Sequence, residues 1–253
     1  MLPWSTSVAV RYTPFVTWAL IVVNAIVFLF EQSLPPRALD ALLVHYALVP
    51  ARYFNPEWAL ANGLDPGNYL PFLTNTFMHA GWMHVILNMW SLLIFGPAVE
   101  DRLGPLRFLG FYLVCGVGAS VAHGLVNSDS LVPALGASGA IAGVMGAFMR
   151  LFPLSRVVVL VPVIFLPFFF ELHAFFFVGF WMALQLMQGL AGLFDSNTLG
   201  GVAWWAHIGG FAVGWLAIGW LQLTPVRYRP PQPDEGRFGF APDGRRRRKG
   251  PWS

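Results

Sequence analysis

Long apolar stretches recur along this chain of 253 residues, and they restrict its fold more than any other feature. A stretch of about 20 apolar residues is long enough for a helix to cross a lipid bilayer. Hydrophobic residues make up 57% of the chain and charged residues only 11%. Because a soluble domain carries about 25% charged residues, the sequence predicts an all-α polytopic membrane protein.

The apolar stretches predict a bundle of six membrane-spanning helices. The predicted spans cover residues 14–31, 82–98, 106–125, 137–150, 171–193 and 202–222. The first has no Ala-x-Ala cleavage site, so we expect an uncleaved signal-anchor helix. Residues 153–170 are apolar but contain three prolines. Their pattern fits either an interfacial hairpin or the start of a helix.

Three regions follow from these spans. Residues 1–13 are predicted to be a cytoplasmic leader, residues 14–222 the six-helix core, and residues 223–253 a disordered, basic, cytoplasmic tail. The first loop, residues 32–77, is long and rich in apolar and aromatic residues. We expect it to lie in the membrane interface and not in solvent.

The distribution of Lys and Arg predicts the orientation, because cytoplasmic loops carry an excess of them. With both termini cytoplasmic, Arg37 and Arg52 lie outside and the other thirteen of the fifteen Lys and Arg lie inside. We expect an integral protein of a bacterial plasma membrane with this orientation. The net charge of +3 does not indicate nucleic-acid binding, since eight of the basic residues follow residue 225.

The fourth predicted helix is too short to cross the hydrocarbon. Fourteen residues, 137–150, form a helix of roughly 21 Å, whereas the hydrocarbon is about 30 Å thick. Arg150 belongs at the inner face, so the helix begins below the outer surface, near Ser138. Free backbone N–H groups and the helix dipole favour a developing anion there. Ser138 is a candidate nucleophile, and the alternative is an incidental Ser on a packing helix.

Polar residues near the outer ends of other spans strengthen the catalytic interpretation. His207 is followed by Gly210 and Gly214, so it lies on a face that permits close helix contact. An imidazole within about 2.6–3.2 Å of a serine hydroxyl can remove its proton. His84 and Asn88 share a face of the second helix, and their N–H groups can donate hydrogen bonds to an oxyanion.

A metal site is the minor alternative for these side chains. Asn is a poor zinc ligand, and no cysteine or suitably placed carboxylate accompanies the histidines. His79, near the start of the second helix, is interpreted as structural. Glu100 lies at the inner end, too far away to act as a ligand or a triad acid. The single cysteine, Cys115, excludes a disulfide framework.

Four motifs of this sequence resemble those of the rhomboid intramembrane serine proteases. They are His79-x4-His84-x3-Asn88, Gly96-x3-Glu100-x3-Gly104, Gly136-Ala137-Ser138-Gly139 and Ala206-His207-x2-Gly210-x3-Gly214. The resemblance implies a six-helix rhomboid-like bundle with a membrane-embedded first loop and a short, recessed fourth helix. It implies a dyad of Ser138 as nucleophile and His207 as general base, without a cofactor. It assigns His84, Asn88 and the backbone N–H of Ser138 to the oxyanion hole.

The resemblance also implies structural roles for the remaining motif residues. Gly96, Glu100 and Gly104 are expected to form a structural turn on the cytoplasmic side. Glycines 136, 139, 210 and 214 are expected to allow close packing around the site. Two departures stand out: the first loop lacks the Trp-Arg pair of some rhomboids, and Ala142 replaces an aromatic residue that in some of them stacks on the base. The orientation of His207 is therefore open.

The expected activity is hydrolysis of peptide bonds in transmembrane segments of other proteins, near the outer membrane face. The expected partners are transmembrane protein substrates and the lipid bilayer, and not nucleic acid. Two other functions remain open. One is an inactive rhomboid-like protein that binds transmembrane clients, and the other is a small-solute transporter, which would also use a broken helix and polar residues at depth.

Overall fold

Helices make up most of the computed structural model, which describes residues 2–163, 166–193 and 203–221. The helices are α1 (Phe15–Ser33), α2 (Pro36–Tyr46), α3 (Ala51–Phe54), α4 (Pro56–Ala61), α5 (Pro71–Thr74), α6 (Trp82–Leu103), α7 (Pro105–Val126), α8 (Ser138–Leu151), α9 (Ala174–Gly192) and α10 (Trp204–Leu221). A 3-10 turn, Asn75–Phe77, precedes α6. The predicted tail, residues 223–253, lies outside the described residues.

Four of these helices are long and apolar enough to cross a membrane, which supports a multi-pass membrane protein. They are α1, α6, α7 and α9. The other two predicted spans correspond to α8, with 14 residues, and α10, with 18 residues. Their crossing of the membrane, and hence the count of six, stays a prediction.

The short helix α8 lies at the centre of the bundle. Twelve of its residues are buried, as expected of a helix that is apolar on every side. It packs against α6, α7 and α10. Ser138, the first residue of α8, therefore lies among other helices.

The predicted turn at Gly96–Gly104 is wrong in its extent, because α6 continues through Pro97 to Leu103. The helix ends at Gly104, whose φ of +81° favours glycine. The carboxylate of Glu100 accepts hydrogen bonds from the backbone N–H groups of Val16 (2.9 Å) and Thr17 (2.7 Å). The first N–H groups of a helix have no partner within it, so Glu100 fastens the start of α1 to α6.

A three-stranded antiparallel sheet departs from the all-α prediction. It has the order β1 (Leu2–Thr6), β2 (Arg156–Val163) and β3 (Leu166–His173). Alternate residues of β2, Val157 and Val159, are fully buried against the bundle, which is the periodicity of a strand. The described residues of the segment 153–170 therefore contribute to a β-hairpin and not to a helix.

The predicted leader and first loop are also more ordered than their composition indicates. Within residues 1–13, β1 forms an edge strand of the sheet. The loop of residues 32–77 contains helices α2 to α5. Arg52, 2% exposed, donates hydrogen bonds to the carbonyls of Asp65 (2.9 Å) and His45 (3.2 Å), and so closes this region on itself. The position of residues 32–77 in the membrane interface stays a prediction.

Candidate active site

Ser138 is the first residue of α8, and an irregular segment before it determines its position. Ala134 pairs with Leu48 through two backbone hydrogen bonds of 2.8 and 3.0 Å, and the N–H of Gly136 donates to the carbonyl of Asn75 at 2.9 Å. Gly136 has a φ of +130°, a conformation that favours glycine. Irregular backbone inside a membrane must be paired with protein, and this segment meets that requirement.

The imidazole of His207, on α10, lies beside the hydroxyl of Ser138. The distance from Ser138 Oγ to His207 Nε2 is 2.8 Å. Ser138 is half-buried and His207 is 9% exposed. This separation lies within the range in which an imidazole can take a proton from a serine. The two residues come together although 69 positions separate them in the chain.

Glycines set this separation, because they allow α8 and α10 to touch backbone to backbone. A Cβ on Gly210 would collide with the carbonyl of Gly139, and one on Gly214 would collide with the carbonyl of Gly143. A Cβ on Gly139 would lie 2.5 Å from Cβ of Ala119 on α7. Small residues at such contacts are what permits close helix packing in membranes. The glycines near Ser138 and His207 therefore bring their two helices together.

Gln185 is a buried hydrogen-bond partner of His207 and was not among the candidate residues taken from the sequence. It lies on α9, is 6% exposed, and places its Oε1 2.7 Å from His207 Nδ1. Polar residues inside a membrane span are rare and often functional. A glutamine in the middle of the apolar fifth span was therefore a usable signal.

Two tryptophan rings lie near the ring of His207. Ala142, on α8, has no ring that could stack on it. The ring centroid of Trp181, on α9, lies 5.8 Å from that of His207. The ring of Trp204, on α10, lies 6.3 Å away at an interplanar angle of 82°. The orientation of His207 therefore depends on α9 and on its own helix, and not on α8.

His84 and Asn88 lie one turn apart on α6, on the other side of Ser138. A Cβ on Gly136 would lie 2.7 Å from His84 Nε2 and 3.6 Å from Ser138 Oγ, so the ring of His84 is close to the start of α8. Asn88 is 7% exposed, and its Nδ2 has no hydrogen-bond partner among the described residues. A buried donor without an acceptor is costly, and an acceptor on a bound substrate would satisfy it.

His79 lies behind His84. Its backbone N–H donates to Glu31 Oε2 at 3.2 Å, and its ring lies 5.1 Å from the ring of His84 in an edge contact. Burial, followed by the nearby His84, lowers the pKa of His79 to about 4, so its ring is neutral at neutral pH. Within residues 2–163, 166–193 and 203–221, no three His, Cys, Asp or Glu side chains are grouped to hold a metal ion.

Comparison with known proteins places this arrangement in context. The family model of the Rhomboid domain matches residues 66–224, which include every residue of the site. RHOMBOID-like protein 6, mitochondrial, of Arabidopsis thaliana is 38% identical over 77 residues, which cover 30% of this chain and 24% of the relative. Rhomboid-like protein 11, chloroplastic, of the same plant is 31% identical over 124 residues, covering 49% and 38%.

A relative from an animal shows a similar degree of likeness. Presenilin-associated rhomboid-like protein, mitochondrial, of Pongo abelii is 31% identical over 152 residues, which cover 57% of this chain and 36% of the relative. The chain thus spans less than two fifths of the length of each of these three proteins.

Proposed function

The chain belongs to the rhomboid family, and on that premise we propose that it is an intramembrane serine endopeptidase. It cleaves transmembrane segments of other membrane proteins near the outer face. The observation that carries the proposal is the 2.8 Å contact between Ser138 Oγ and His207 Nε2 at the start of α8. A packing serine does not require a buried imidazole as its partner.

The first step forms an acyl-enzyme. Ser138 Oγ attacks the carbonyl carbon of the scissile bond while its proton passes to His207 Nε2. The tetrahedral oxyanion accepts hydrogen bonds from Asn88, His84 and the backbone N–H of Ser138, which as the first residue of α8 has no acceptor within its helix. His207 then donates the proton to the leaving amine, and the peptide bond breaks.

The second step regenerates the enzyme. A water molecule gives its proton to His207 Nε2 and attacks the ester carbonyl. The second tetrahedral intermediate collapses, Ser138 Oγ recovers the proton from His207, and the new carboxylic acid leaves and gives its remaining proton to solvent. No metal or organic cofactor enters either step.

The substrate is a helix that must unwind at the bond to be cut. Its carbonyl there is engaged in a helical hydrogen bond, so Gly, Pro and small residues nearby favour cleavage. By analogy with the family, the substrate enters sideways between α6 and α9. The site lies at the outer ends of the helices, and cleavage is therefore expected near that end of the substrate.

Cleavage of a reporter transmembrane substrate by reconstituted protein tests this function. We expect Ser138→Ala and His207→Ala each to lose about 10⁶-fold in kcat, as in a Ser-His-Asp site, which brings cleavage to background. Ser138→Cys reports whether a thiol can replace the hydroxyl. Cleavage by Ser138→Ala at the rate of the wild type would overturn the mechanism.

Labelling by a fluorophosphonate probe tests activation of the serine separately. We expect the probe to modify Ser138 in the wild type and in a His79→Ala control, and to leave His207→Ala unmodified. A wild-type protein that binds transmembrane clients but neither cuts them nor reacts with the probe would instead be an inactive member of the family.

A further inference from the structure

We propose that Gln185 is a positioning residue, which holds His207 in the tautomer and orientation that deprotonate Ser138. The inference rests on the proposed function. It follows from the hydrogen bonds at the two ring nitrogens of His207, from the way α9 packs on α10, and from the absence of a ring at Ala142.

The two hydrogen bonds of His207 define which nitrogen carries the proton. Nδ1 lies 2.7 Å from Gln185 Oε1, and Nε2 lies 2.8 Å from Ser138 Oγ. An amide oxygen can only accept, and a neutral imidazole has one N–H. The proton is therefore on Nδ1, and the lone pair of Nε2 faces the serine hydroxyl. That is the tautomer which a general base requires.

An amide suits this buried position better than a carboxylate. Gln185 and His207 are 6% and 9% exposed, and a charged carboxylate in such a place carries a large desolvation cost. The amide oxygen orients the ring without a charge. Its dipole also stabilises the imidazolium that forms when Ser138 loses its proton, because the negative end of the dipole faces Nδ1–H.

One face of α9 presents the groups that hold His207. Trp181, Gln185 and Gly189 are spaced four residues apart and so lie on the same face. A Cβ on Gly189 would lie 3.2 Å from Cδ1 of Ile208 and 3.5 Å from Cβ of Trp204, which shows how closely this face approaches α10. The ring of Trp181 packs on His207 one turn before Gln185 binds it. Together they limit both rotation and tilt of the imidazole.

Three variants on α9 distinguish a role of Gln185 in positioning His207 from a role in helix packing. Gln185→Met keeps the length of the side chain but removes the acceptor, and Gln185→Glu keeps the acceptor. Gln188→Met is the matched control, because Gln188 is exposed on the same helix. We expect Gln185→Met to lower kcat about 10- to 100-fold with little change in KM. This loss is smaller than the ~10⁴-fold of a wrong tautomer in a Ser-His-Asp site, since the contact with Ser138 remains.

We expect Gln185→Glu to recover kcat relative to Gln185→Met, and Gln188→Met to have the kcat of the wild type. A purely structural role predicts instead that Gln185→Met loses thermal stability in detergent and loses activity in proportion, and that Gln185→Glu, whose buried carboxylate carries a desolvation cost, is no more active than Gln185→Met. Wild-type kcat in a folded Gln185→Met protein would overturn the inference while leaving the protease function intact, provided that Ser138→Ala is inactive.

A nitrogen-15 NMR spectrum of histidine-labelled protein gives a readout that does not depend on cleavage. The signals of His207 are those absent from His207→Ala. We expect the wild type to show the proton on Nδ1, and Gln185→Met to show a mixture of tautomers. A wild-type proton on Nε2 overturns the inference. If the wild type shows the expected tautomer but cuts no substrate, the hydrogen bond stands and the proposed function fails. The wild-type spectrum decides the question even if Gln185→Met does not fold.

Discussion

Asn88, on α6, has a buried side-chain amide whose Nδ2 lacks an acceptor among the described residues. Such a group costs free energy in the resting protein. An oxyanion that forms only during the reaction would convert this cost into stabilisation of the transition state.

We therefore expect Asn88→Ala to lower kcat by about 10²- to 10³-fold, the usual loss when one oxyanion donor is removed. Substrate affinity should change little, because the donor acts mainly in the transition state. Ser91→Ala is the control, since the hydroxyl of Ser91, on the same helix, donates to the carbonyl of Leu87 at 2.8 Å. Equal turnover by Asn88→Ala and Ser91→Ala would remove Asn88 from the oxyanion hole.

The motif around Glu100 lies on the same helix as Asn88, twelve residues further along. Thr17 of α1 contacts both Glu100 and Gly96. The hydroxyl of Thr17 donates a hydrogen bond to the carboxylate of Glu100 at 2.7 Å. The side chain of Thr17 lies 3.0 Å from the position that a Cβ on Gly96 would take. The motif thus joins α1 to the C-terminal half of α6. Its position agrees with a structural role.

At the scale of elements, the approach of α10 to α8 is the contact on which the site depends. Gly210 and Gly214 meet the carbonyls of Gly139 and Gly143 directly. Backbone cannot move aside as a flexible side chain can. A methyl group at this contact must push the two helices apart, and with them Ser138 and His207.

We expect Gly210→Ala to lower stability by about 1–3 kcal/mol, the usual cost of overpacking, and to reduce cleavage more than stability alone explains. Thermal unfolding in detergent and reporter cleavage measure the two effects. Gly179→Ala is the matched control, because a Cβ on Gly179, in α9, would meet nothing within 4 Å. Full activity of Gly210→Ala would show that the close helix contact is not needed.

For the molecule as a whole, orientation in the membrane would decide on which side the proposed cleavage takes place. The positive-inside rule predicts cytoplasmic termini, which places the segment between α7 and α8 outside. Cys115 is the single cysteine of the chain, and it is buried. Cysteines introduced at exposed positions therefore report their side of the membrane against a low background.

We expect Asp129→Cys to react with a membrane-impermeant maleimide in intact cells, and Val10→Cys to react only after permeabilisation. Asp129 is exposed in the segment that leads to α8, and Val10 is 40% exposed near the N-terminus. The reverse labelling pattern would contradict the predicted orientation and would move cleavage to the cytoplasmic face.

Features that depend on length and local spacing were readable from the amino-acid sequence. Runs of apolar residues predicted α1, α6, α7 and α9, and the short apolar stretch of residues 137–150 predicted the short helix α8. The motifs around Ser138 and His207 pointed to the rhomboid family, and the family comparison confirmed it. These signals are readable because periodicity and span length are properties of consecutive residues.

Which distant residues meet became clear from the packing of the helices and strands. β1 pairs with β2 about 150 positions further along, and neither segment alone shows that it needs the other. Gln185 and Trp181 contact His207 because α9 packs on α10 at one particular rotation about its axis. The hydrophobic pattern of a helix that is apolar on every side does not specify that rotation. The partners of a candidate catalytic residue are set by helix packing, whereas the residue itself is marked by its own chemistry.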